Sequence, residues 1–364
     1  MSAPATPKYG ALRLTETLGM VATLLPVPAV LLWDVARTTY ASWNKARTLK
    51  RIAGDCALRY VLGSLSVPQL QNAFGTTRAT YEAWVKKAKL PEAIDELGED
   101  ARLMWIGPKR LERVIMFVHG GGFLLPATDF SLSFWRYVQL ELEKQGIEVG
   151  IALFSYSLAP IATFPTPLKQ ARLGLEFLLA AGVQPQNLQL AGDSAGGNLI
   201  VQLLSQMLHP LPSVPEIHLP APLRGALLIS PWVNLSADSA SHRENDGRDI
   251  LRRNTLARWG ATILSAVPAG DRAFAEAARA PAEWFAGADR VVERVLVTAG
   301  GAECLRDDIV AFGEAFKQHH ARTELVVQAG GLHEDLFLDF FVSETKFASL
   351  TPLTVEWLAA GFTE

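Results

Sequence analysis

Cysteine is scarce. The 364 residues hold two, Cys56 and Cys304, too few for a disulfide framework. Cys304 sits close to several carboxylates, but a small packing residue is the expected role. Histidine is also sparse, seven in all. None recurs at metal-ligand spacing, and His333-Glu334 lacks the second histidine of a metalloprotease helix. A dinucleotide fingerprint, an internal repeat and a low-complexity tract are all missing. So is an excess of either charge: 34 Lys and Arg face 37 Asp and Glu, for a net charge of −3, which leaves no basic footprint for nucleic acid. No cofactor, no metal and no nucleic-acid partner is expected. What is abundant is apolar side chain, 49% of the chain, enough for one large α/β domain with a cap.

Two glycine-bearing motifs stand at the ends of apolar runs. Asn187-Leu188-Gln189-Leu190-Ala191 leads into Gly192-Asp193-Ser194-Ala195-Gly196, and a helical pattern from Gly197 to Leu204 leads out. A G-x-S-x-G in strand-to-helix context is a nucleophile elbow, which holds the serine in a strained conformation with its hydroxyl exposed. Upstream, Arg113 to Val118 reads as a buried strand and His119-Gly120-Gly121-Gly122-Phe123 follows it. Three glycines let backbone N–H groups converge on one point, as an oxyanion requires. A phosphate cradle would need a Lys-Ser/Thr pair after its glycines, and Phe123-Leu124-Leu125 stands there instead. The expected donors are the N–H groups of Gly121, Gly122 and Ala195, with His119 bracing the loop.

A serine nucleophile needs a base. His209 and His218 fall in a proline-rich connection, His242 in a polar stretch, and His319 and His320 at a helix end. His333 follows the strand Glu324 to Gln328 and the turn Ala329-Gly330-Gly331, at a strand's C-terminal end. The acid that orients the base is expected at Glu303, the first carboxylate past the strand Arg294 to Ala299. Asp307 and Asp308 are rivals, expected instead to cap the next helix. The order serine, acid, histidine is that of α/β-hydrolases.

At this point the chain resembles the hormone-sensitive-lipase-like branch of the α/β-hydrolases, which includes esterases and arylacetamide deacetylases. The resemblance rests on His119 to Phe123, Gly192 to Gly197, Ser230-Pro231-Trp232, Glu303 to Asp308 and His333, and runs from about residue 100 to the C-terminus. It implies Ser194 as nucleophile, Glu303 as acid, His333 as base and Gly121, Gly122 and Ala195 as the oxyanion hole. Two departures stand out. Glu replaces the usual Asp at the acid position, and Ser157 and Ile161 stand where many members carry Arg and Glu. The placement is nearer to fungal sterol-acetate esterases.

Strands are expected near 102–106, 113–118, 148–154, 188–192, 225–230, 294–299 and 323–328, with helices between them, as a mostly parallel central sheet requires. The α/β-hydrolase core is expected over 101–231 and 286–364. A cap insertion is expected over 232–285, containing a helix near Ile250 to Leu264, with further cap helices and an apolar segment over 1–100. The cap aromatics Trp259, Phe274, Trp284 and Phe285 either line an acyl or alcohol pocket or fasten the cap to the core. Residues 17–33 form an uncharged, mainly apolar run, slightly short for a span of ~20 residues and broken by Pro26 and Pro28. It reads as a membrane anchor or interfacial helix, as a substrate-entrance helix touching lipid, or as a buried helix. Arg37, Lys45, Arg47, Lys50 and Arg51 favour a cytosolic catalytic domain if the run spans; the likeness to sterol-acetate esterases implies the opposite orientation. Asn234-Leu235-Ser236 is a glycosylation sequon.

The expected function is a serine carboxylesterase acting through an acyl-enzyme on a hydrophobic, short-acyl ester such as an acetate. The partner is that small molecule, and the location is a membrane, at the endoplasmic reticulum, with a soluble cytoplasmic protein as the alternative. An amidase or deacetylase would use the same triad. A ligand-binding protein on a retired hydrolase fold, as in plant gibberellin receptors, is the alternative from another class.

Overall fold

The computed structural model describes residues 8–45 and 47–363. Its centre is an eight-stranded sheet: β1 (Ile94–Gly98), β2 (Ala101–Ile106), β3 (Val114–Val118), β4 (Gly150–Ser155), β5 (Leu188–Asp193), β6 (Gly225–Ile229), β7 (Val295–Gly300) and β8 (Thr323–Gln328). The spatial order is β1-β2-β4-β3-β5-β6-β7-β8. β1 pairs antiparallel with β2, and β2 with β4; every other pairing is parallel. All seven expected strands are present. β1 escapes a hydrophobic search because it is an edge strand, Ile-Asp-Glu-Leu-Gly, exposed in alternation.

Five helices precede or lead into the sheet: α1 (Leu14–Leu24), α2 (Val27–Thr38), α3 (Leu49–Ser64), α4 (Val67–Phe74) and α5 (Thr77–Ala88). Then α6 (Asp129–Lys144), α7 (Thr166–Ala180) and α8 (Ser194–Leu208) follow β3, β4 and β5. The excursion between β6 and β7 holds α9 (Ala240–Glu244), α10 (Arg253–Leu264) and α11 (Arg272–Ala275). The chain closes with α12 (Arg306–His319), α13 (Asp335–Phe341) and α14 (Leu350–Thr363).

The central strands are buried on both faces, which is why they read as continuous apolar runs. The pleat still sorts their side chains. Val114, Met116 and Val118 of β3 join the cluster containing Leu168 and Leu175 of α7 and Leu199 of α8. Ile115 and Phe117 face the other way, with Trp135 of α6 and Leu358 of α14. Helices on both faces leave the C-terminal strand ends open, and the loops gathered there form the site.

The apolar run near the N-terminus becomes α1 and α2, and the break at Leu25-Pro26 lies between them. Leu14–Thr38 contains an 18-residue stretch with a mean hydropathy of 1.8 and is long and apolar enough to cross a membrane. Leu18, Val21, Leu25, Leu32 and Trp33 are all exposed, so the buried-helix reading does not hold. α1 is fastened to the body: Tyr60 Oη donates to Thr23 O at 2.9 Å and Gln69 Nε2 to Glu16 O at 2.8 Å.

Candidate active site

β5 ends at Asp193 and α8 starts at Ser194, whose φ of +47° is a left-handed conformation unusual for a side-chain-bearing residue. The turn is tight enough to demand glycine on both sides. A Cβ on Gly196 would overlap the carbonyl oxygen of Val118, and one on Gly192 would lie 2.7 Å from the backbone of Gly196. Ser194 lines a cavity of about 100 Å³ together with Gly121, Gly122, Trp232, Trp259, His333 and Glu334.

The glycine loop after β3 is shaped by positive φ, +93° at Gly121 and +66° at Gly122. A side chain at Gly122 would meet the Trp259 ring at 2.8 Å. Neither Gly121 nor Gly122 uses its N–H in a hydrogen bond among the described residues. Ala195 lies in the first turn of α8, where the helix provides no acceptor for its N–H. His119 braces this loop, as expected. Its Nδ1 bonds to Gly120 O at 2.8 Å, its Nε2 to Thr77 Oγ1 at 3.2 Å, and its ring stacks on Tyr156 at 4.6 Å. Burial lowers its pKa to about 4, so the ring is neutral: Nδ1–H donates and Nε2 accepts.

Glu303 and His333 come together behind the cavity, both almost fully buried. Glu303 Oε2 accepts from Ser230 Oγ at 2.6 Å and from Gly300 N–H at 3.0 Å, and lies 3.9 Å from His333 Nδ1. Glu303 Oε1 and His333 Nδ1 are each buried without a hydrogen-bond partner. A buried polar atom without a partner is costly, and these two are the groups that a small side-chain rotation would join. Catalytic bonds are often long before substrate binds. Burial, with Asp249 adding to it, pushes the Glu303 carboxyl well above the usual carboxylate range. Burial also lowers His333, against an opposing pull from Glu334. A positive charge on the imidazole would oppose that burial effect and favour the ionised form of Glu303.

The rival residues lie elsewhere. Asp307 and Asp308 stand in the first turn of α12, where capping was expected, but their carboxylates reach across to the β6–β7 excursion. Asp307 accepts from Ser241 N–H at 2.8 Å and Asp308 from Asn234 Nδ2 at 2.9 Å. The sequon asparagine is thus buried, with its amide in use. His242 is buried against Ser239 and Asp308. His209 stacks on Trp284. His320 bonds to Val292 O and His319 to Ala282 O, while His218 is exposed. Of the four cap aromatics, Trp259 lines the cavity. Phe274 and Trp284 pack on each other, and Phe285 packs on Phe312 and Phe316.

Three residues that motif reading passed over organise the site. Asp249, from the β6–β7 excursion, accepts His333 N–H at 2.9 Å through Oδ1 and Cys304 N–H at 2.8 Å through Oδ2. One carboxylate thereby clips the Glu303–Cys304 loop to the His333 loop. Arg59 of α3 in turn holds Asp249 O at 2.7 Å and Arg248 O at 2.6 Å. Glu334 is the second; its Oε1 lies 3.5 Å from His333 Nε2, and its carboxyl bonds to that of Asp193. Asp193, inside the elbow motif, is the third, and also accepts Gly120 N–H at 2.9 Å. Burial raises Asp193 to about 6 and Glu334 well above the usual range, so the two carboxyls keep a proton between them at neutral pH. Asp249 and Glu334 lie outside strands and helices and Asp193 at a strand end, so none carries a periodic signal. Only the placement of Asp193 and Glu334 next to the expected nucleophile and base could have flagged two of them.

An acetyl-hydrolase of Streptomyces hygroscopicus is 31% identical over 153 residues, 40% of this chain and 45% of that protein. The arylacetamide deacetylase of Bos taurus is 28% identical over 162 residues, 42% of this chain and 37% of that one. The matched part thus spans less than half the length of these curated relatives. A solved esterase of the bacterial hormone-sensitive lipase family superposes with a TM-score of 0.65 at 20% identity, covering 87% of this chain and 99% of that one. Residues 115–336 match the family model of the α/β-hydrolase fold. That stretch contains the strained serine turn, the glycine loop, and both members of the buried carboxyl–imidazole pair, and the chain belongs to the α/β-hydrolase family.

Proposed function

We propose that this protein is a serine carboxylesterase of the hormone-sensitive-lipase-like branch, cleaving a hydrophobic ester with a short, acetyl-sized acyl group through an acyl-enzyme. The observation that carries the reading is the shared cavity: a serine strained at φ +47°, a buried imidazole, and the unengaged N–H groups of Gly121 and Gly122. His333 Nε2 takes the Ser194 proton as Oγ attacks the carbonyl carbon. The oxyanion settles on the N–H groups of Gly121, Gly122 and Ala195, each such donor contributing roughly 3 kcal/mol of barrier lowering. Glu303 balances the imidazolium at Nδ1. The imidazolium then protonates the departing alkoxide, and water, deprotonated by the same ring, releases the acid. The excursion over 232–285 and the N-terminal helices act as the cap.

A fluorophosphonate probe tests the reading, because it reacts only with an activated serine. Labelling is expected at Ser194, absent from a retired hydrolase fold that merely binds ligands. Burial lowers the His333 pKa from 6.5. The neutral base therefore persists into mild acid, and the labelling rate should reach half its plateau below pH 6.5. No labelling sinks the proposal, and a midpoint above that pH shows that the neighbouring carboxyls outweigh burial at His333. The relative named as an arylacetamide deacetylase keeps an aryl amide as a second reading. Matched acetate and acetamide pairs separate the two.

The exposed apolar face of α1 and α2 supports contact with a lipid surface, and the motif resemblance points to the endoplasmic reticulum. The wild-type chain should float with neutral phosphatidylcholine vesicles, and Leu18→Glu with Leu25→Glu should leave it in the soluble fraction. Equal flotation of both proteins would exclude these helices as the contact.

A further inference from the structure

The catalytic cavity does not end at its own walls. Leu58, Phe74, Pro126, Ala127, Thr128 and Phe130 line it, and the same six residues line a second, outer groove of about 360 Å³. The groove runs on between α5 and the start of α6, past Trp84 and Phe341. Its volume is more than three times the roughly 100 Å³ of the inner cavity. Phe74 and Phe341 keep exposed ring area there, and the groove reaches solvent beside the Lys87–Asp129 ion pair.

The direction of this groove assigns its occupant. The base protonates the departing oxygen, so the alcohol half of an ester lies on the side of the base. His333 is followed directly by α13, whose Phe337 and Leu338 line the inner cavity, and Phe341, one turn further on, lines the groove. The groove therefore leaves the cavity along the element that starts at the base. On the oxyanion side the space is closed, since Gly122 lies against Trp259 and Trp232.

Resting on the esterase reading, we propose that the outer groove binds the apolar body of the leaving alcohol, so that the substrate is an ester of a small acid with a large apolar alcohol. Aromatic walls bury such a body, and each methylene that enters raises kcat/KM by about fourfold until the groove is full. Ala83 of α5 and Ala73 of α4 line the groove but not the inner cavity.

Ethyl, octyl and dodecyl acetate provide the test, with kcat/KM measured for the wild type, Ala83→Trp and Ala73→Trp. Expected is a steep rise with chain length in the wild type, and a dodecyl-to-ethyl ratio at least roughly tenfold lower in each variant. The ratio divides out any loss of folded enzyme. A wild type indifferent to alcohol length, or a ratio unmoved in both variants while ethyl acetate is turned over, overturns the groove assignment and leaves the esterase reading standing. Failure of the wild type to hydrolyse any of the three acetates overturns the esterase reading and the groove with it.

Discussion

Ser194→Ala should lower kcat for p-nitrophenyl acetate by about six orders of magnitude, the scale seen when the nucleophile of a serine triad is removed. At 1.36 kcal/mol per tenfold this corresponds to about 8 kcal/mol of lost transition-state stabilisation. The loss is chemical: alanine keeps the Cβ, which already sits in the strained turn at φ +47°, and removes only the hydroxyl. The variant should therefore unfold at a urea concentration close to that of the wild type. Some rate above the uncatalysed reaction should survive, because the proposed oxyanion donors, among them Gly121 and Gly122 lining the cavity, are untouched. Undiminished turnover in this variant would remove Ser194 from the chemistry.

Arg51→Ala should destabilise the fold by about 3–5 kcal/mol, the range for breaking a buried ion pair from one side. Arg51 is 3% exposed and meets three carboxylates, Asp55 at 2.8 Å, Asp335 at 2.5 Å and Asp339 at 2.5 Å. Arg47 adds contacts to Asp55 at 3.0 Å and Asp335 at 2.9 Å. Without Arg51, Asp55 and Asp335 share the one guanidinium of Arg47, and Asp339 is left without one. Burial alone would raise the Asp335 carboxyl, yet Arg51 and Arg47 hold it below its ordinary value. Its contribution to stability is thus present at neutral pH and is lost as pH falls through that lowered pKa. The deficit of the variant should be largest near pH 7 and should shrink on acidification, as the stranded carboxylates take up protons. Urea unfolding at pH 7 and pH 5 reads both effects. A loss within about 0.5 kcal/mol at pH 7, the size of an ordinary surface change, would show that the cluster does not hold α3 on α13.

The strand core was legible because parallel strands covered on both faces are nearly continuous apolar runs, as Val114 to Val118 is throughout and Val295 to Ala299 is apart from Thr298. β1 was not, since an edge strand carries Asp95 and Glu96 without penalty. The site was legible where backbone geometry restricts residue type: Gly196 packs on the Val118 carbonyl and Gly122 on Trp259. Glu303 and His333 could be picked out because functional loops gather at strand C-terminal ends. Asp249 could not, because a carboxylate that binds two distant N–H groups leaves no trace in its own neighbourhood of sequence. The cap aromatics show the same boundary. Trp259 and Phe274 look alike in the chain, and only packing sends one to the cavity and the other to Trp284.

The first hundred residues look like a detachable cover, but their fastenings say otherwise. Arg59 grips the segment that pins the Glu303 loop to the His333 loop, and Arg51 grips the helix that follows His333. Gln71 donates to Leu124 O at 2.9 Å and Ala159 O at 2.8 Å, beside the glycine loop, and Thr77 fixes the ring of His119. A shortened enzyme beginning at β1 would lose every one of these anchors at once. Guests must accordingly slip in past a standing wall, because a door hinged on that whole segment could not swing without dismantling the chemistry it shelters.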